Sequence, residues 1–163
     1  MPDVVNVVFA GLGGQGVIKA SDILADAVFR SGFDVKKAEI HGMSQRGGSV
    51  TSDVRFGREV FSPMVPAGEA DFLVVLAPSE VENNRQVLRA GGVLIPPDLV
   101  AEGSLPNRRS LNVALLGALS HHLSIAEEHW RAAIAAALPE RLHEVNFKAF
   151  EAGRAAARAR AAA

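Results

Sequence analysis

A glycine-rich turn between an apolar run and an amphipathic segment is the feature that most constrains the fold of this chain. Residues 4–10 are apolar and rich in valine, which indicates a strand buried in a parallel or mixed sheet. The glycine-rich stretch 11–16 follows. Apolar residues then recur at helical spacing from Val17 to Val28, and Gly32 is a suitable stop. The chain therefore opens with a strand, a glycine turn and a helix, a unit typical of α/β sheets.

The pattern that follows departs from a plain repetition of this unit. Residues 34–40 predict a second strand, and residues 49–56 alternate between an apolar and a more polar face. Val60 and Phe61 are interpreted as a short partner strand after a turn. The first half of the chain is therefore expected to carry an additional antiparallel piece.

The remainder predicts two more strands and a helical C-terminal third. Strands 72–77 and 93–95 are separated by a helix that begins at Ser79 with a capping-box pattern and ends near Gly91. Residues 98–109 are interpreted as a loop or a short crossing strand. Helices are predicted over residues 111–122, from Ser124 to Leu138, and from Pro139 into a fraying tail.

These elements predict the α/β class: a Rossmann-like three-layer domain with a mixed, largely parallel sheet and a helical C-terminal third. The absence of a repeat or a clear linker predicts one domain over residues 1–153, followed by a solvated Ala/Arg-rich tail at residues 154–163. A length of 163 residues suits a single domain with its own core.

The composition excludes several classes of protein. The chain has 17 Lys and Arg against 18 Asp and Glu, so it lacks the basic excess typical of nucleic-acid-binding proteins. It has no cysteine, which excludes disulfides, zinc–thiolate sites, iron–sulfur clusters and a cysteine nucleophile within this chain. There is no run of about 18 apolar residues and no signal-peptide pattern. We therefore expect a cytoplasmic protein that does not contact a membrane.

The glycine turn is the first motif that could carry chemistry. Gly11, Gly13 and Gly16 fit the pattern G-x-G-x-x-G, in which glycines let the backbone approach a ligand and a helix N-terminus faces a phosphate. Glu39 follows at about the distance at which dinucleotide-binding folds hold a ribose. The alternative is that the glycines only permit tight packing of strand and helix. A P-loop is excluded because Val17 stands where its lysine is required.

A second polar and glycine-rich stretch covers residues 39–48. Arg46 suits a phosphate or carboxylate, Gln45 can hydrogen-bond a ligand, and His41 can donate, accept or titrate. Loops of this composition carry function more often than packing. The alternative is an interface or surface loop whose polar groups satisfy one another.

The remaining polar groups are interpreted as solvated. One such stretch contains Asp98, Glu102, Arg108 and Arg109. His121 and His122 are adjacent and point to different faces of a helix, so they do not readily share a metal ion. We therefore predict no metal site.

Several blocks of sequence together identify a family. They are A-G-L-G-G-Q-G-V at residues 10–17, E-I-H-G-M-S-Q-R-G-G-S-V at residues 39–50, Ser62-Pro63, residues 68–71, Asn112 with residues 116–119, and residues 146–153. The segment H-G-M-S-Q-R-G-G is far more specific than the glycine turn. On these blocks the chain resembles the γ-type subunits of the 2-oxoacid:ferredoxin oxidoreductases, and most closely the β subunit of indolepyruvate ferredoxin oxidoreductase. The resemblance covers nearly the whole chain except the Ala/Arg tail.

The resemblance implies a small subunit that is inactive alone. Complexes of this family oxidatively decarboxylate a 2-oxoacid with coenzyme A, giving an acyl-CoA, CO2 and reduced ferredoxin. The chain would contact coenzyme A in the complex and bind no cofactor alone. Thiamine diphosphate and the iron–sulfur clusters would lie on a large partner subunit, and ferredoxin would be met indirectly. The implied substrate is an arylpyruvate such as indolepyruvate.

Two loops are expected to form the contribution of this chain to the active site. The predicted cofactor-binding residues are Gly11, Gly13, Gly14, Gln15, Gly16 and Gly47, and the predicted catalytic residues are His41, Gln45 and Arg46. Gly13 and Gly14 would present N–H groups to coenzyme A, and Arg46 would make the charged contact. The alternative function is a stand-alone nucleotide- or CoA-binding regulatory module. A fragment of an NAD-dependent dehydrogenase is disfavoured by the pattern after Glu39.

Overall fold

Five strands form one mixed sheet in the order β2-β3-β1-β4-β5. The structure is a computed structural model and describes residues 3–41 and 48–163. The strands are β1 (Val4–Leu12), β2 (Asp34–His41), β3 (Ser49–Gly57), β4 (Ala70–Val75) and β5 (Leu88–Ile95). β4 is parallel to β1 and to β5, whereas β3 is antiparallel to both β1 and β2. Four strands therefore run one way and β3 runs against them, which confirms the mixed, largely parallel sheet and its antiparallel insertion.

The helices divide unequally between the two faces of the sheet. They are α1 (Val17–Arg30), α2 (Ser79–Asn84), α3 (Leu111–Ser120), α4 (Glu127–Ala137) and α5 (His143–Ala162). α1 and α3 contact the strands, α4 packs on α1, and α5 packs on α3. The face that they cover is called the helix face here, and the opposite face, covered by α2 and residues 58–69, is called the loop face. Helices on both sides of the sheet confirm the α/β class and the helical C-terminal third.

The alternation of side chains along β1 separates two cores. Val7 and Phe9 point to the helix face and join a large core with Leu24, Leu115 and Trp130. On the loop face lies a smaller cluster formed by Val8, Ala10, Ala70, Leu73 and Val75. Most of the apolar burial therefore lies under α1 and α3, and the loop face has only a thin cover.

α3 and α5 approach each other closely through two glycines. A Cβ at Gly117 would overlap the carbonyl oxygen of Phe150, and a Cβ at Gly153 would overlap that of Ala114. Both glycines lie in the middle of a helix, where glycine is normally unfavourable. Because these glycines have no side chain, the backbones of α3 and α5 can come into contact. Beyond Gly153, α5 continues to Ala162, and Ala157 is buried.

Four sequence-based expectations about the elements are wrong, and two of them concern residues 58–91. Val60 and Phe61 form no strand, because the Val60 N–H donates to the Asp34 carboxylate (2.8 Å) and residues 58–69 stay irregular. The helix that begins at Ser79 ends at Asn84. Gly91, with φ of +78°, lies instead in an irregularity of β5, where the register with β4 shifts.

The other two errors concern the helices near the C-terminus. α4 begins at Glu127 after the extended residue Ala126, so the capping-box pattern at Ser124 does not start the helix. The tail expected to fray is helical to Ala162, because Gly153 and Ala157 hold this part of α5 in the core. In the described ranges, no helix is long and apolar enough to cross a membrane.

Candidate functional site

The carboxyl ends of β1, β2 and β4 lie at one edge of the sheet. From β1 the chain passes through α1 to β2 on one side, and from β4 it passes through α2 to β5 on the other. The crevice between β1 and β4 is therefore a topological switch point, the place where open α/β sheets most often bind ligands. The glycine turn that connects β1 to α1 borders this crevice.

The glycines of the turn have different physical roles. Gly14 and Gly16 adopt the left-handed conformation, with φ of +87° and +84°. A Cβ at Gly16 would lie 2.5 Å from Asn112 Nδ2, and one at Gly11 would lie 2.8 Å from a Val17 methyl group. At Gly14 a Cβ would meet nothing within 4 Å. Gly11 and Gly16 thus serve close packing, whereas Gly14 faces open space.

Gly13 connects the glycine turn to the second predicted loop. Its N–H donates to the carbonyl oxygen of Gly48 at 2.9 Å, so this N–H is used within the chain. The next residue, Ser49, donates from its hydroxyl to the Glu80 carboxylate at 2.8 Å, and Glu80 is only 4% exposed. The C-terminal end of the second loop is therefore fixed both to the turn and to α2.

Gln15 braces the ends of β1 and β4. Its Oε1 accepts from the N–H of Leu12 at 2.7 Å, and its Nε2 donates to the carbonyl oxygen of Leu76 at 3.3 Å. Both ends of the amide are therefore engaged by backbone groups on either side of the crevice. Gln15 also lines the cleft, and its amide holds the two walls together.

Replacing Gln15 by glutamate is expected to destabilise the chain by about 1–3 kcal/mol, the cost of leaving a buried hydrogen-bonding group unpaired. The carboxylate still accepts from Leu12, but it cannot donate to Leu76 and repels that carbonyl oxygen. Urea unfolding at pH 7 measures the loss. Gln86→Glu, at an exposed amide that donates to Asn83, is the matched control and is expected to change stability by less than about 0.5 kcal/mol. Equal stability of the two variants would contradict the bracing role.

A cleft of about 540 Å³ opens beside the turn. Its lining joins Gly14, Gln15 and Gly16 to Arg108, Arg109 and Asn112. Asn112 holds the turn, because its Nδ2 donates to the Gly16 carbonyl oxygen at 3.3 Å. None of the described residues that line the cleft is acidic.

Two arginines make this cleft positive. The Arg108 side chain is 89% exposed and reaches Glu102 only at 4.0 Å, a weak pair that leaves the guanidinium free to reorient. The N-terminus of α1, with N–H groups that lack partners within the helix, lies at the same cleft. The arrangement suits a phosphate or a carboxylate group.

Sequence reasoning placed Arg108 and Arg109 in solvent and missed the cleft. They are exposed, but they also lie directly before α3, which Asn112 fastens to Gly16. The signal that could have found them is the position of a basic pair, three and four residues before Asn112, a residue that the family blocks singled out. A second cavity of about 520 Å³ shares Gln15 and Arg108 with the cleft, and its lining also includes Asp98 and Glu102.

His41 is the one predicted catalytic residue within the described ranges, whereas Gln45, Arg46 and Gly47 lie outside them. His41 is exposed at the end of β2 and pairs with Val50, which in turn pairs with Gly11. Two strand spacings, roughly 10 Å, therefore separate His41 from the glycine turn. His41 and the glycine turn therefore lie at the same edge of the sheet, but His41 is not among the residues that line the cleft.

Glu39 does not take the place of a ribose-binding carboxylate. β3 lies between β1 and β2, which moves Glu39 away from the glycine turn. Its carboxylate pairs with Lys37 at 2.9 Å, and this ion pair lowers the pKa of Glu39. The described residues contain no group of three or more His, Asp or Glu side chains placed to hold a metal ion.

The comparison with protein families covers almost the entire chain. Residues 6–156 match the family model described as pyruvate ferredoxin/flavodoxin oxidoreductase. The chain belongs to this family. The resemblance deduced from the sequence blocks is thereby confirmed.

Relatives within the family match from end to end. The indolepyruvate oxidoreductase subunit IorB of Thermococcus kodakarensis is 33% identical, over 94% of this chain and 96% of that protein. The IorB subunit of Pyrococcus horikoshii is 32% identical over the same shares. The γ subunit of keto/oxoacid ferredoxin oxidoreductase from Geobacter sulfurreducens has the same fold, with a TM-score of 0.78 and 25% identity over 96% of this chain and 97% of that one.

A longer chain of known structure contains the same fold as one part. The 2-oxoglutarate:ferredoxin oxidoreductase of Magnetococcus marinus, solved with 2-oxoglutarate, coenzyme A and succinyl-CoA bound, matches with a TM-score of 0.80 and 22% identity. The match covers 98% of this chain and 32% of that chain. This chain therefore spans about a third of the Magnetococcus chain.

Proposed function

We propose that this chain is the small subunit of a 2-oxoacid:ferredoxin oxidoreductase of the indolepyruvate type. The observation that carries the proposal is the end-to-end match with IorB subunits, at 32–33% identity over 94% of this chain and 96% of each relative. The reaction converts a 2-oxoacid and the thiol of coenzyme A into an acyl-CoA and CO2. Two electrons pass to ferredoxin and one proton is released.

The contribution of this chain is to bind the phosphate groups of coenzyme A in the cleft beside the glycine turn. Arg108 and Arg109 would make the charged contacts, and the N–H groups at the start of α1 would complete them. The fit is supported by the two arginines in the described lining of the 540 Å³ cleft and by the open space at Gly14. Asp98 and Glu102 line the adjoining cavity. That coenzyme A is bound in the Magnetococcus enzyme agrees with this choice of ligand.

The redox chemistry belongs to a partner. Iron–sulfur clusters need thiolate ligands, and this chain has no cysteine, so its residues do not fit a cluster. The proposal therefore places the clusters and thiamine diphosphate on a large second subunit, which passes electrons to ferredoxin. His41, Gln45 and Arg46 are proposed to face the reacting end of coenzyme A or the 2-oxoacid. Of these, the structure describes only His41.

Purification of the tagged chain from its native host tests the subunit role. We expect a stoichiometric large subunit that contains thiamine and iron, and a complex that oxidises indolepyruvate only when coenzyme A is present. A partner-free chain that is nevertheless stabilised by coenzyme A in a thermal shift would favour the regulatory module instead, because a ligand stabilises the state that binds it.

A further inference from the structure

Three of the four large hydrophobic side chains exposed in the described part of the chain belong to the loop face. Phe61 is 83% exposed, Met64 is 52% exposed and Ile40 is 47% exposed. The fourth, Phe29, is 66% exposed and lies near the end of α1 on the helix side. Ile40, Phe61 and Met64 are called the loop-face patch below.

The strand register places Ile40 on the loop face. Ile40 pairs with Thr51, and along β3 Thr51 alternates with the buried Val50. Val50 belongs to the core under the helices, so Thr51 and its partner Ile40 point the other way. An exposed isoleucine at this point lies directly before His41, at the edge that carries the candidate site.

Residues 60–65 are held across the same face by three side chains. Asp34 accepts from the Val60 N–H at 2.8 Å and Asp53 accepts from the Val65 N–H at 2.9 Å. Arg55 donates from Nη1 to the Ser62 carbonyl oxygen at 2.8 Å. Asp53 and Arg55 follow Thr51 at every second position along β3, and Asp34 pairs with Gly57, the next residue of that series. The side chains of Asp34, Asp53 and Arg55 therefore lie on the same side of the sheet as Thr51.

The segment therefore presents Phe61 and Met64 in a fixed position. Asp53 is 7% exposed, and burial raises its pKa, so the chain accepts the cost of a buried carboxyl group to hold this backbone. Pro63 lies between Phe61 and Met64 and restricts the backbone further. An apolar pair fixed in this way loses little conformational freedom when it binds, a property of good interface residues.

Among the described residues around the patch, two pairs of opposite charges lie side by side. Asp34 and Lys36, on β2, form an ion pair at 4.0 Å, and each side chain is 40% exposed. Arg58 and Glu59 carry opposite charges in the adjacent exposed turn. A partner that covers the patch needs an apolar surface without a strong net charge.

We propose that Ile40, Phe61 and Met64 dock this chain onto the large oxidoreductase subunit. The inference rests on the proposed function, and it identifies the face through which the two subunits meet. The loop face has only a thin cover, whereas α4 and α5 form a further layer on the other side. In the Magnetococcus enzyme this fold is about a third of a longer chain, and the full-length relatives of this chain are named as subunits. A contact that includes Ile40 is continuous with the edge that carries His41.

The test compares binding to the large subunit by wild type, by the double variant Phe61→Ser/Met64→Ser and by Phe29→Ser. The large subunit is purified from the native complex after dissociation, and biolayer interferometry gives the Kd. We expect the double variant to lose at least about a hundredfold in affinity, the size typical of a hydrophobic hot spot. Phe29→Ser is expected to bind as wild type does, and equal melting temperatures check that each variant is folded.

Four other results would overturn the proposed function, the docking face or the identity of the partner. A wild-type chain that does not bind the large subunit overturns the proposed function together with the docking face. Wild-type affinity in the double variant overturns the docking face alone. A loss with Phe29→Ser as large as that of the double variant moves the contact to α1. If light scattering shows a wild-type dimer and a monomeric double variant, a second copy of this chain covers the patch instead.

Discussion

Replacing Gly153 by alanine is expected to lower the free energy of unfolding by about 1–3 kcal/mol, the usual cost of overpacking a core. Alanine in a helix interior is otherwise favoured over glycine by about 1 kcal/mol. Here the new Cβ would overlap the carbonyl oxygen of Ala114 and push α5 away from α3. Urea unfolding monitored by circular dichroism gives the change in free energy.

Alanine variants at Gly117 and Gly103 provide a second test and a control. Gly117→Ala is expected to behave like Gly153→Ala, because its Cβ would overlap the Phe150 carbonyl oxygen. Gly103→Ala is the control, since a Cβ at Gly103 meets nothing within 4 Å. Its effect is expected to remain within about 0.5 kcal/mol. A Gly153→Ala variant as stable as wild type would show that α3 and α5 do not approach as closely as described.

Replacing both Arg108 and Arg109 by alanine is expected to raise the KM for coenzyme A by roughly a hundredfold in the complete enzyme. A hydrogen bond to a charged group contributes about 1.5–3 kcal/mol, and each 1.4 kcal/mol corresponds to a factor of about ten. The KM for indolepyruvate is expected to stay unchanged, because the arginines are proposed to contact only the phosphate groups. Initial rates against each substrate measure the two constants.

Two controls separate phosphate binding from a general effect of charge. Arg85→Ala removes an exposed arginine that pairs with Glu82, away from the cleft, and is expected to leave both KM values unchanged. Pantetheine lacks the phosphates, so wild type and the double variant are expected to use it equally. An unchanged KM for coenzyme A in the double variant would show that the cleft does not bind the phosphate groups of coenzyme A.

The sheet could be predicted largely from the sequence because its strands carry local signals. The valine-rich run of β1, the alternation along β3 and the apolar β4 each identify a strand without reference to the rest of the chain. Gly91 and Gly92 led to the wrong prediction that the helix beginning at Ser79 extends to them, because glycine suits both the end of a helix and an irregular strand. Only the pairing of β5 with β4 distinguishes the two.

The candidate site was harder to predict because distant segments build it. The glycine turn has a local pattern, but Arg108 and Arg109 reach the cleft only because Asn112, 96 residues later than Gly16, holds α3 against the turn. Gln15 was predicted to bind a cofactor, and the structure adds that its amide is hydrogen-bonded to backbone groups of Leu12 and Leu76. A single sequence does not show which polar groups a fold uses internally.

The most direct test of the central claim is the rate of CoA-dependent indolepyruvate oxidation by the large subunit, measured before and after this chain is added. Reduction of ferredoxin is followed spectroscopically during a titration with the purified chain. We expect negligible activity for the large subunit alone, and a rate that rises until the two chains are equimolar. Full activity of the large subunit without this chain, or no gain when the folded chain binds, would contradict the account.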